Sequence, residues 1–337
     1  GCVIGYDINE KGCQISYYDD SMEEPDTMMA SSNNYLIPLV LGYFKDRWVF
    51  GKEAKRLAVV GEDCTETDLY GKAKRREKVS LAGKTYDAVW LLAKYISLTL
   101  QDFENIQYLT FTTPETDVDM AKMLKGIGQH IGVDKEIISV QDYKESFCQY
   151  MIFQPKELWQ YESALFYCDE DRIKAYMLRR LRVDASHGMN SFVTVDEVAN
   201  AQRKELEALY PIMNKEKSPD ESFKSMIENV FEKKVISSVY LTGEGFEKNW
   251  YPNSLRVLCN GRRAFMGNNL YSKGACYKSI RKCEPNDDGP IYLDETKLTE
   301  RICLRMRVDG QEGWYPLVTW GTHWYEADGQ WEVLLEL

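Results

Sequence analysis

No stretch of this chain strings together the ~18 apolar residues that a membrane helix needs. The first residues also show no basic segment running into an apolar one, so neither a membrane span nor an export signal is expected. Histidine is scarce: His130, His187 and His323 lie far apart in sequence, and no two of the nine cysteines have C-x-x-C spacing. That excludes a preformed zinc site of the usual spacing. The cysteines are odd in number, scattered and set among apolar residues, as small hydrophobes in a reducing compartment would be, and a cytoplasmic location is expected. Positive charge is also in deficit. A net charge of −11 repels nucleic acid and anionic lipid, so neither is expected as a partner. The local exception, Lys72-Ala73-Lys74-Arg75-Arg76-Glu77-Lys78, could meet phosphate but reads first as a solvated loop.

What is present is ample material for a core. A chain of 337 residues with 44% hydrophobic and 28% charged side chains has the makings of two folded domains and an appendage. The 22 tyrosines fit amphipathic core edges or a contact face.

Cys2 to Ile8 is a buried-strand pattern, followed by the polar turn Asn9-Glu10-Lys11-Gly12 and a second strand, Cys13 to Tyr18, which together predict a β-hairpin. A strand pair is expected at Tyr35–Leu41 and Arg47–Phe50, and a short helix from Gly51 to Ala58. Apolar residues at helical spacing predict a helix between Tyr86 and Phe103. Alternation follows: strand Gln107–Thr112, helix Val118–Ile131, strand Ile137–Val140 and helix Asp142–Phe153. A second hairpin, Ala164–Cys168 with Ile173–Leu181, closes through Asp169-Glu170-Asp171-Arg172. Helices at Val195–Leu209 and Glu221–Phe231, a strand at Val235–Leu241 and the turn Gly243-Glu244-Gly245 complete an echo of the first half. Beyond Pro290 the pattern turns all-β, with strands at 301–308, 314–319, 322–326 and 331–335. Because the last of these runs to the final residue without a closing turn, the natural chain is expected to continue past Leu337.

In order and spacing, five segments resemble the actin, heat-shock-chaperone and sugar-kinase superfamily over residues 1 to about 283. They are VIGYDIN, LIPLVLGYFKDRWVFGKEAKRLA, YLTFTTPETDVDMAKMLKGIGQHIG, LFYCDEDRIKAYML, and VYLTGEGFEKNW followed by MGNNLYSKGACYKS. The chain is more closely similar to a group of bacterial proteins of that superfamily which carry a β-rich C-terminal extension and have no assigned activity. The resemblance implies an α/β fold of two duplicated actin-like (ribonuclease-H-like) ATPase domains. They would span residues 1–155, with a small insertion at about 42–84, and 156–283, and a small all-β domain would follow at 284–337. It also implies ATP or ADP with magnesium as the cofactor.

Carried over residue by residue, Asp7 stands where the family's first aspartate organises hydrated magnesium, with Asn9 and Gly12 in the first phosphate hairpin and Asp169 in the second. Gly243, Glu244 and Gly245 correspond to the adenosine turn, and Asn269 and Lys273 to groups within reach of ribose or purine. Asp142, beside Gln141, lies near the water-orienting residue, so Asp7 and Asp142 are the catalytic candidates, although Asp142 also reads as the N-cap of its helix. The departures are in the phosphate hairpins. Asn9 and Glu10 replace a glycine and a hydroxyl, and no glycine remains in 168–172. Backbone amides reach phosphate only where side chains stay clear. A carboxylate ~4 Å from a phosphate charge costs about 4 kcal/mol at an effective dielectric near 20.

The expectation is therefore a non-catalytic binding or scaffold module rather than an enzyme. A protein partner would meet the tail carrying Trp314, Trp320, Trp324 and Trp331, unless those tryptophans form the tail's own core. The alternatives are an active or weak magnesium-dependent ATPase or phosphotransferase, and a nucleotide-binding switch.

Overall fold

The computed structural model of the chain describes residues 1–61, 63–181, 191–202, 218–284, 287, 289–298 and 302–326. The fold is mixed α/β, built on two six-stranded sheets. In the first, β1 (Cys2–Ile8) and β2 (Gly12–Tyr18) form the expected antiparallel hairpin, and β3 (Asp26–Thr27) and β4 (Ile37–Pro38) pair with β2. A small insertion follows: β5 (Leu41–Phe44), β6 (Arg47–Phe50), α1 (Gly51–Val60), β7 (Thr65–Glu66), α2 (Leu69–Lys74), and the hairpin β8 (Lys78–Leu81) with β9 (Lys84–Asp87). The chain returns through α3 (Ala88–Thr99), β10 (Ile106–Thr113), α4 (Val118–His130) and β11 (Ile138–Asp142), with β10 parallel to both β1 and β11.

Helix α5 (Tyr143–Ile152) leads to the second sheet. There β12 (Glu162–Cys168) and β13 (Arg172–Leu181) make a hairpin, and β14 (Phe192–Gln202) adds antiparallel to β13. After α6 (Pro219–Phe231), β15 (Ile236–Thr242) and β16 (Arg263–Met266) add in parallel beside β12, with α7 (Pro252–Leu258) between them. The two sheets, β11-β10-β1-β2-β3 and β16-β15-β12-β13-β14, thus share strand order and strand direction.

Strand periodicity sorts the side chains into layers. Ile4, Tyr6 and Ile8 face one way and join α3 and α4 in a core with Leu92, Ile96, Leu124 and Ile127. Ala164, Phe166 and Cys168 likewise meet Phe223 and Ile227 of α6. Between the sheets lie α5 and α8 (Leu270–Cys283). Phe147, Cys148 and Met151 of α5 pack on Leu165, Leu178 and Val193 of the second sheet. α8 lies against the first sheet, where Ser279 Oγ donates to the Ile4 carbonyl and shares a hydrogen bond with Thr110 Oγ1.

Two glycines set the spacing. A Cβ on Gly5 of β1 would fall 2.2 Å from Cys276 N, and one on Gly274 of α8 would fall 2.0 Å from the Ser146 carbonyl oxygen of α5. The small pair Gly274-Ala275 is therefore demanded by helix packing.

Three expectations need correction. Residues 195–202 of the predicted helix Val195–Leu209 belong to strand β14, and 203–209 lie outside the described residues. Val195, Val198 and Ala199 have helical spacing, but β13 supplies an antiparallel edge, and a bulge between Ala175 and Tyr176 absorbs the phase slip. The arm of the third hairpin is Leu41–Phe44 rather than 35–41, because the reversal occurs at Lys45-Asp46, both left-handed at φ +49° and +59°. In the tail, β18 (Ile302–Val308) and β19 (Gln311–Val318) pair as expected, but 322–326 is no strand. It contributes a single bridge, His323 to Lys297, because His323 bonds to Thr296 and Lys297 earlier in the tail and Glu326 to Lys125 of the body. The strand expected at 331–335 lies outside the described residues. The segment after 283 also starts inside the second sheet, where β17 (Ile291–Tyr292) pairs with β14. No helix among the described residues is long and apolar enough to cross a membrane.

Candidate functional site

At the C-terminal ends of β1, β12 and β15 the two hairpin turns and the Gly243 turn come together, the place where open α/β sheets commonly bind ligands. Asp7 is buried at the end of β1. Tyr143, the first residue of α5, donates its hydroxyl to Asp7 Oδ1 at 2.6 Å and accepts Asn9 Nδ2 at 2.9 Å. Burial pushes the Asp7 carboxyl up to about 7, which the Tyr143 hydrogen bond only partly offsets.

The two turns solve the same backbone problem in the same way. In the first, Asn9 N–H donates to the Gly12 carbonyl at 3.0 Å, and Asn9 Oδ1 accepts the amides of Lys11 (2.8 Å) and Gly12 (3.2 Å). In the second, Asp169 N–H donates to the Arg172 carbonyl at 3.1 Å, and Asp169 Oδ1 accepts the amides of Asp171 and Arg172, both at 2.8 Å. Each turn is thus an Asx turn in which the first, third and fourth amides are satisfied internally. Burial would raise the Asp169 carboxyl, but these two amides, with the Tyr167 hydroxyl at 2.9 Å, hold it below the ordinary carboxylate range.

Side chains also bridge the cleft. The rings of Tyr143 and Tyr271 stack at 3.8 Å and 5°, and the Tyr271 hydroxyl shares a 3.0 Å hydrogen bond with Thr242 Oγ1 at the end of β15. Lys11 of the first turn forms an ion pair with Glu244 of the Gly243 turn. The glycines of that turn are taken up by packing. A Cβ on Gly243 would lie 2.2 Å from the Cys168 carbonyl oxygen and one on Gly245 2.3 Å from Cys168 Sγ. Gly12 is likewise pressed against the Ile37 carbonyl oxygen, 2.2 Å from where its Cβ would stand.

Of the residues singled out from sequence, Asp7, Asn9, Gly12, Asp169, Gly243, Glu244 and Gly245 gather at this end. Asn269 and Lys273 turn toward the β2–β3 side, where Asn269 Nδ2 donates to Thr27 Oγ1 at 2.9 Å and Lys273 Nζ pairs with Glu24 at 3.6 Å. Asp142 is the N-cap of α5: its Oδ1 accepts the Glu145 amide at 2.9 Å, and burial lifts its carboxyl to about 6. Gln141 Nε2 donates to Ser146 Oγ at 2.7 Å. Among the described residues no group of three His, Cys, Asp or Glu side chains is disposed to hold a metal. The basic run is ordered structure rather than a loop: Lys72 pairs with Glu66, Arg75 with Asp68 and Glu77, and Lys78 with Asp87.

Sequence reasoning missed Tyr143, Tyr271 and Lys11. Their one signal was the excess of tyrosine, which does not say which copies face a cleft. It also missed a charge cluster in the first turn of α5, two residues beyond Tyr143. Glu145, almost wholly shielded, takes Lys278 of α8 at 3.1 Å and Lys297 of the tail at 3.0 Å. Lys297 Nζ also donates to His323 Nε2 at 3.0 Å.

Comparison with known proteins supplies family membership and no activity. No curated protein matches this chain. Residues 297–337 match a domain of unknown function, DUF8552. Residues 24–295 match the model for the C-terminal part of a family of unknown function, DUF5716, and since that match spans most of the sequence, the chain belongs to the DUF5716 family.

Proposed function

We propose that the chain is a divergent, non-catalytic member of the actin, heat-shock-chaperone and sugar-kinase superfamily, in which the former nucleotide cleft has become a structural joint and the body serves as a binding or scaffold module. The fold part of the reading draws on the two sheets of equal order and direction, each opened by a hairpin and separated by α5 and α8. The observation that carries the functional part is the closure of both hairpin turns on their own side chains. Asn9 and Asp169 accept the amides that a phosphate would need. Phosphoryl binding in this geometry depends on such donors, and a carboxylate already seated on them repels the ligand as well as replacing it. The stacked Tyr143–Tyr271 pair and the Lys11–Glu244 bridge occupy the space between the turns.

In this reading the tail supplies the contact surface for a protein partner. Trp314 and Trp324 are 68% and 53% exposed, so these two do not form a tail core of their own, while Trp331 lies outside the described residues. The test is a calorimetric and thermal-shift titration with ATP and ADP, each with and without magnesium. The expected result is no saturable heat and no stabilisation at millimolar nucleotide. Magnesium-dependent phosphate release abolished by Asp7→Ala would establish the ATPase instead. Stabilisation by nucleotide without release would establish the switch.

A further inference from the structure

On the outer face of the first sheet, away from the α5–α8 layer, a groove of about 490 Å³ runs between α3 and α4 under the β8–β9 hairpin. That volume is within the range of small-molecule sites. Its floor is apolar: Ala88, Val89 and Ala93 of α3 with Met123 and Ile127 of α4. Trp90 forms an aromatic wall, 39% exposed and stacked on Tyr86 at 5.4 Å and 15°.

The charges around it are not balanced. Its two carboxylates are already neutralised, Glu77 by Arg75 and Asp87 by Lys78. Arg76, Lys122 and His130 also line it, and none of these three side chains has a hydrogen-bond or ion-pair partner among the described residues. Arg76, Lys122 and His130 are exposed and bring positive charge to the rim of an apolar floor.

Two backbone features point the same way. Arg76 is left-handed at φ +56°, a conformation that favours glycine over a long side chain. Gly126, inside α4, lines the groove, and a Cβ there would meet nothing within 4 Å. Glycine in a helix interior costs stability relative to alanine. Gly126 is exposed, and its missing side chain leaves room in the groove.

The geometry points to a binding site for a small organic anion with a flat apolar body, its ring laid against Trp90 over Met123 and Ile127 and its anionic group held by Arg76 and Lys122, with His130 donating a hydrogen bond. The site is separated from the tyrosine-filled cleft by the thickness of the first sheet and does not depend on the function proposed for that cleft.

The test is calorimetry on the full chain with 1-naphthyl phosphate, with inorganic phosphate and 2-naphthol as half-ligands. The expected result is one saturable site for 1-naphthyl phosphate, with each half-ligand at least ~10-fold weaker, as expected when both halves of the ligand contribute. Lys122→Glu and Gly126→Leu should each weaken binding by ~10-fold or more, the first by charge and the second by filling the groove. Gly126→Ala serves as the folding control and should raise the melting temperature. No saturable binding at 5 mM, equal affinity for inorganic phosphate or for 2-naphthol, or affinity unchanged in Gly126→Leu would each overturn the proposal.

Discussion

Glu145 Oε2 and Lys297 Nζ lie 3.0 Å apart, with side-chain exposures of 3% and 4%, and the pair joins helix α5 of the DUF5716 segment to the first residue of the DUF8552 segment. One carboxylate serves two ammonium groups here, since Lys278 lies 3.1 Å from Glu145 Oε1. Burial opposes ionisation of Glu145, but Lys297 and Lys278 outweigh it and hold the carboxyl far below its ordinary range. Lys278 is left under-compensated: burial lowers it to about 8 although Glu145 pulls the other way. Glu326, paired with Lys125 at 3.0 Å, adds a second clasp between tail and body.

Removing the shared carboxylate should therefore be severe. Glu145→Gln leaves the buried Lys297 and the partly buried Lys278 without a counter-charge, for which ~3–5 kcal/mol of destabilisation is the usual scale. Replacing all three groups, Glu145→Leu with Lys278→Met and Lys297→Met, should recover most of that loss, because buried ion clusters are often matched by apolar packing. Urea denaturation of the single and triple variants checks both. A single variant within 1 kcal/mol of the parent would mean the cluster is solvated in solution.

The same cluster should make tail docking sensitive to acid. His323 Nε2 accepts Lys297 Nζ, while its Nδ1–H donates to Thr296 Oγ1 at 2.9 Å, whose own proton goes to Asp294 at 2.7 Å. The ring must then be neutral. Burial first, and Lys297 second, push its pKa below the ordinary value, while Glu145, Glu326 and Asp294 partly oppose them. A lowered folded pKa gives stability that is present above the unfolded value, ~6.5, and is lost as pH falls through the folded one. Hydrogen-exchange protection factors of residues 291–298 and 302–326, corrected for the pH dependence of intrinsic exchange, should fall between pH 7 and 5 in the parent. His323→Gln keeps an acceptor but cannot be charged, and it should flatten that dependence.

How much of this was legible depends on whether the signal was local. The β1–β2 and β12–β13 hairpins, the cap of α5 at Asp142 and the buried-strand pattern of Cys2 to Ile8 are local patterns, and the sequence states them directly. The strand identity of 192–202 was not legible, because it is decided by β13, whose open edge outweighs the helical spacing of Val195, Val198 and Ala199. Nor was the pairing of Lys45-Asp46 in a left-handed turn, since neither residue is the glycine or asparagine that marks such turns. At the site, the loss of glycine from the two turns could be read, but not that Asn9 and Asp169 would close them in the same way. Lys297 and His323 meet Glu145 across more than 150 residues, a separation that no sequence pattern encodes.

Gly274→Ala tests the close helix contact on which the middle layer rests. With the Ser146 carbonyl oxygen 2.0 Å from the new Cβ, backbone rather than a flexible side chain must move, and α5 and α8 would have to separate. A loss of ~3 kcal/mol or more is expected, at the upper end for overpacking. Gly126→Ala on exposed α4 should instead stabilise by roughly 0.5–1 kcal/mol, since nothing obstructs its Cβ. Opposite signs for two glycine-to-alanine changes would distinguish packing from propensity in one thermal-unfolding experiment.

Asp7→Asn separates a retained catalytic carboxylate from a relic. The Asp7 carboxyl, raised to about 7 by burial, binds its proton more tightly in the folded chain than in the unfolded one. Its contribution to stability is thus complete below the unfolded value, ~3.9, and is lost as pH rises through about 7. Asparagine is neutral throughout and keeps an oxygen to accept the Tyr143 hydroxyl. The variant should match the parent near pH 4 and exceed it at pH 8 by on the order of 2 kcal/mol, since a three-unit shift bounds the effect at about 4. Asp142, raised to about 6, tilts both proteins equally, so the difference between them isolates Asp7. Equal stability at pH 8 would mean that a counter-ion neutralises Asp7 in solution, as a bound magnesium would, and addition of a chelator would then lower the parent and leave the variant unchanged.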